Sequence, residues 1–88
     1  MSNVVFHVQI AASKTKLPDW KIRSIYRAGT LKDVVSTYDN EWYRYHVGKF
    51  DNYEAAKAFV PKTKVKGAFV VVYRNGKQWH ITEVVDNQ

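Results

Sequence analysis

Eighty-eight residues are enough for one small domain, which excludes a two-lobed enzyme with a cleft between its lobes. Hydrophobic residues make up 45% of the chain and aromatics 15%, enough for a layered core and too apolar for a disordered segment. The absence of cysteine removes disulfide scaffolds, thiolate zinc sites and thiol nucleophiles, and an excess of 14 Lys and Arg over 8 Asp and Glu, net +6, favours an anionic partner.

Residues 4–11 open apolar and then alternate, with Phe6, Val8 and Ile10 on one side and His7, Gln9 and Ala11 on the other, the period of a strand with one buried face. After a polar break, Pro18 and Asp19 start a segment in which Ile22, Ile25 and Tyr26 fall at i, i+3 and i+4, predicting a short helix that ends before Gly29. Residues 34–38 and 42–47 are rich in β-branched and aromatic side chains. The Asp39, Asn40, Glu41 turn between them makes a hairpin, and Gly48 ends its second strand. Asn52 is placed to cap a helix carrying Ala55, Ala56 and Phe59, which Pro61 stops. Residues 68–73 are apolar on both faces, as in a well-covered strand. Asn75 and Gly76 form a hairpin turn, and residues 78–85 return as a last strand.

The order is β, α, β, β, α, β with an added hairpin strand. It predicts an α+β domain of the split βαβ (βαββαβ, ferredoxin-like) type, an antiparallel sheet with both helices on one face and the other face open. A single domain over residues 3–85 with flexible termini at 1–2 and 86–88 is expected, as a monomer. Residues 1–4 have no signal-peptide layout and no apolar run nears the roughly 18 residues of a membrane span.

If Phe6, Val8, Ile10, Tyr43, Tyr45 and Val47 pack under the helices, His7 and Gln9 share the open face with Trp42, Arg44 and His46. Such a patch joins an aromatic plate, a guanidinium, an amide and two imidazoles that gain charge below about pH 6.5, a composition suited to binding. The plainer alternative has Arg44 stacked on Trp42 as a solvated cation–π pair at the hairpin edge. No Ser-His-Asp set, HExxH, phosphate loop or paired carboxylates stand at recognisable spacing, so neither catalysis nor a cofactor is expected. Two histidines without a thiolate or carboxylate make a poor metal site. Residues 55–82 hold Lys57, Lys62, Lys64, Lys66, Arg74 and Lys77 and no acid, a lopsided field suited to steering.

Four segments carry a family resemblance: residues 6–13 (Phe-His-Val-Gln-Ile-Ala-Ala-Ser), 42–50 (Trp-Tyr-Arg-Tyr-His-Val-Gly-Lys-Phe), 52–56 (Asn-Tyr-Glu-Ala-Ala) and 67–71 (Gly-Ala-Phe-Val-Val). In this order and spacing they resemble the SPOR (sporulation-related repeat) domain, a peptidoglycan-binding module of bacterial envelope and cell-division proteins, in its Bacteroidetes-type version. The resemblance implies a βαββαβ fold and binding to glycan strands stripped of stem peptides. It also implies a place in the periplasm or cell envelope, at the septum or wall, within a larger exported protein that is anchored outside this chain. It carries ligand roles to Gln9, Trp42 and Arg44, and to Ser13, which Ala12 displaces by one position from the family's Gly-Ser.

Two other readings stay open. RNA-recognition domains share the topology and place aromatics on the open face, although the third strand here lacks their Lys/Arg-Gly-Phe/Tyr-Gly/Ala-Phe signature, so nucleic acid is not the expected partner. A protein-interaction domain using the same face is the other.

Overall fold

The computed structural model describes residues 4–74 and 77–79. Strand β1 (Val4–Ser13) leads to helix α1 (Asp19–Ile25), a single 3-10 turn (Leu31–Asp33) and the hairpin strands β2 (Val34–Asp39) and β3 (Trp42–Phe50). Helix α2 (Tyr53–Thr63) and strands β4 (Phe69–Arg74) and β5 (Lys77–Trp79) follow. The strands form one antiparallel sheet in the order β2-β3-β1-β4-β5, so β1 and β3 are central neighbours, as the split βαβ topology requires. The expected termini, the Asn75–Gly76 turn and residues beyond 79 lie outside the described residues.

Both helices cover the same face. Ile22 and Tyr26 of the α1 segment pack with Val8, Ile10, Tyr45 and Val47, while Ala56 of α2 packs with Phe6 and Val72. Phe50 joins the two clusters, its ring 5.4 Å from that of Phe59. Burying Phe6 or Val8 completely is worth roughly 1.5–3 kcal/mol each, and these positions fall on the strand alternation read from the sequence.

Three local features depart from simple periodicity. Gly48 does not end β3: it takes a positive φ of 79° inside the strand, where residues 48 and 49 bulge and the pairing steps from Phe6↔Phe50 to Val8↔Val47. A second irregularity lies at Ile10 of β1. There Ile10 and Ala11 both turn to the helix side, so that Ala12 pairs with Arg44 and Ser13 with Tyr43. Pro61 does not stop α2. In the last turn its missing N–H removes one ladder bond, and the helix closes two residues later with Lys64 left-handed at φ 58° and Thr63 donating its hydroxyl to the Val60 carbonyl at 2.7 Å.

The remaining ends follow local chemistry. Asn52 Oδ1 accepts the Ala55 N–H at 2.8 Å, the expected cap. Asn40 and Glu41 both have positive φ, the geometry whose twist matches a two-residue hairpin. The 3-10 turn is held by a capping box in which Asp33 Oδ2 accepts from the Thr30 N–H and hydroxyl.

Candidate functional site

Register lines up side chains of neighbouring strands in rows across the helix-free face. Val35, His46, Gln9 and Phe69 form one row; Thr37, Arg44 and Ala12 form the next; Asp39 and Trp42 close the hairpin end. Gln9, Trp42, Arg44, His7 and His46 therefore share this face, as the alternation predicts. Ser13 does not. The irregularity at Ile10 reverses its parity, placing it opposite Tyr43, which packs on the core, and its hydroxyl accepts the Thr15 N–H at 3.2 Å.

The two histidines differ. His7 Nδ1 lies 2.6 Å from the Gly48 carbonyl; a carbonyl only accepts, so Nδ1 carries the proton and the bulge fixes the tautomer. The His7 and His46 rings stack at 4.9 Å, and the Tyr73 ring stands edge-on to both, at 5.6 and 5.1 Å. Tyr73 thereby reaches from β4 across β1. Its hydroxyl lies 3.0 Å from His46 Nε2 and 3.2 Å from Thr37 Oγ1. His46 is left 2% exposed, and burial, with His7 and Arg44 nearby, lowers its pKa to about 4. The expectation that both imidazoles titrate near 6.5 therefore fails for His46, because an aromatic from the fourth strand takes it out of water.

Gln9 is also nearly covered, at 8% exposure. Its Oε1 and the Nδ1 of His46, on residues directly paired across β1 and β3, are buried without a hydrogen-bond partner. Leaving such a group unpaired costs about 1–3 kcal/mol. This is the least settled part of the face, polar but tight.

The hairpin end is more open. Trp42 is 37% exposed, and its cation–π partner is Lys14, whose Nζ lies 4.8 Å from the ring centroid. Arg44, half-buried, instead donates from Nη1 to the Asp39 carbonyl at 3.0 Å, which holds the guanidinium beside the turn. Lys14 owes its place to the loop after β1, pinned where the buried Tyr45 hydroxyl accepts the Leu17 N–H at 2.8 Å.

Lys14, Tyr73 and Phe69, the last 51% exposed, join the face without having been marked in the sequence. Parity within residues 68–73 could have marked Phe69 and Tyr73 once β4 was set beside β1; nothing local marks Lys14. Among the described residues, no group of three or more His, Asp or Glu stands close enough to hold a metal ion. No helix among them is long and apolar enough to cross a membrane. Comparison with protein-family models, with curated proteins and with solved structures gives no match.

Proposed function

We propose that this domain is a non-catalytic carbohydrate-binding module that recognises peptidoglycan glycan strands stripped of their stem peptides, and so directs a larger envelope protein to the cell wall or septum. The observation that carries the reading is the hairpin end of the open face, where an accessible indole touched by Lys14 shares with Arg44 a sheet surface that neither α1 nor α2 covers. Removing the peptides leaves a lactyl carboxylate on each muramic acid, so the strand alternates apolar sugar faces with negative charges. Trp42 stacks on a sugar face. Arg44, oriented through one nitrogen by the Asp39 carbonyl, keeps donors for a carboxylate. An exposed cation–π contact is worth about 0.5–1 kcal/mol, so a sugar displaces Lys14 from the ring at modest cost and the freed ammonium adds to the attraction. The resemblance of residues 6–13 and 42–50 to the SPOR domain supports the same ligand.

Co-sedimentation with sacculi tests this: retention on sacculi treated with an amidase and little on untreated ones is expected, and equal behaviour on both overturns it. Exposed Trp42 and Phe69 on one face also suit stacked bases, which makes single-stranded nucleic acid the second reading. A steep loss of affinity for an oligonucleotide with rising salt, without preference for amidase-treated sacculi, selects it.

A further inference from the structure

A second accessible tryptophan lies on the other side of the sheet. With Ile22 and Tyr26 turned into the core, helical geometry sends Trp20, Arg23 and Ser24 outward. Arg27 follows just past the helix end, its Nε–H donating to the Ser24 carbonyl at 3.4 Å. These residues line an open groove of about 660 Å³, continued by a hollow of about 510 Å³ that shares Ser24 and Arg27 and reaches Lys62 in the last turn of α2 and Lys64 at its end. No carboxylate lines either, and among the described residues none of the four cations has an ion-pair partner. The nearby Asp33 carboxylate is engaged by Thr30. Trp20, which lines the groove, is 67% exposed, with Lys21 Nζ 5.9 Å from its ring centroid.

We infer that this groove docks on an anionic phospholipid surface, with lipid phosphates among Arg23, Arg27, Lys62 and Lys64 and the Trp20 indole in the headgroup layer. Charge complementarity selects an anion, and an indole with a wet edge and an apolar body settles at a membrane interface. A nucleic-acid strand would need successive stacking platforms along the groove, whereas the groove's lining holds one exposed aromatic, Trp20, and the buried Tyr26. The form is shallow and open, suited to several headgroups rather than to one enclosed small molecule. Each cation near such a surface strengthens binding by about fivefold. Because the sheet separates this groove from Trp42 and Arg44, a domain docked this way presents its open face away from the bilayer. The inference does not depend on the glycan reading.

The test is sedimentation of the full chain with vesicles of phosphatidylglycerol mixed with phosphatidylcholine, against vesicles of phosphatidylcholine alone. Binding to the anionic vesicles only is expected. The pair Arg23→Ala with Arg27→Ala should weaken it by about 25-fold, Trp20→Ser should weaken it further, and Arg44→Ala should leave it unchanged. All these side chains are outside the core, and circular dichroism checks that each variant folds. Equal retention on both vesicle types, loss in Arg44→Ala matching that of the arginine pair, or tighter binding of a single-stranded oligonucleotide through Arg23 and Arg27 would overturn the inference. Retention of the Arg23 and Arg27 variant on amidase-treated sacculi keeps this result separate from the glycan test.

Discussion

His46 makes stability depend on acid in a way that can be calculated. The folded chain holds its imidazole at a pKa of about 4, with burial the largest cause and His7 and Arg44 adding repulsion, while an unfolded histidine titrates near 6.5. Above pH 6.5 neither state binds the proton and His46 has no effect on the pH dependence. Between about 6.5 and 4 the unfolded chain takes the proton and the folded chain does not, so stability falls as pH falls, and it levels off below 4. The difference between the folded and unfolded imidazole corresponds to a loss of about 2 kcal/mol by pH 5 and about 3 kcal/mol by pH 4. Urea unfolding from pH 7.5 to 4, compared between the native chain and His46→Gln, isolates this contribution from the other titrating groups. The native chain should lose about 2 kcal/mol more than the variant between pH 7.5 and 5. Parallel pH profiles, or a histidine resonance of His46 that titrates near 6.5 in the folded protein, would show that Tyr73 does not keep this imidazole neutral.

Other consequences can be measured alongside. Gly48→Ala should destabilise by about 2 kcal/mol or more in thermal or urea unfolding, since φ is 79° and an added Cβ would run into the Phe50 ring. Tyr45→Phe leaves the part-buried Leu17 N–H without its acceptor and should cost about 1–3 kcal/mol, with faster hydrogen exchange at Leu17. Glu41→Gly relieves a left-handed non-glycine in the hairpin and should raise stability by about 0.5 kcal/mol, read as a higher Tm. Trp42→Ala and Arg44→Ala should each weaken binding of stripped glycan by roughly 30-fold or more while shifting the Tm by only a few degrees.

The fold was legible because period-2 alternation in residues 4–10 and 42–47 names the buried face directly, and the Asn52 cap and the hairpin turn mark element ends with local chemistry. The bulges were not legible in the same way. Gly48 reads equally as a strand end or a left-handed residue within a strand, and only pairing with β1 decides between them. The irregularity at Ile10 has no glycine to announce it, yet it moves Ser13 off the open face and brings Ala12 onto it. For the site, parity alone gathered Gln9, Trp42, Arg44 and both histidines. Accessibility depended on more distant residues: Tyr73 covers His46 from two strands away, and Lys14 reaches Trp42 from a loop fixed by the Tyr45 hydroxyl.

Where a stripped glycan strand sits can be read from isotope-labelled protein titrated with purified amidase-treated glycan, following amide and indole resonances. Shifts are expected at the Trp42 indole N–H and along Arg44, Gln9 and Lys14, with α1 unmoved. An unchanged spectrum at saturating glycan, or shifts confined to residues outside the open face, would mean that the open face does not hold the glycan.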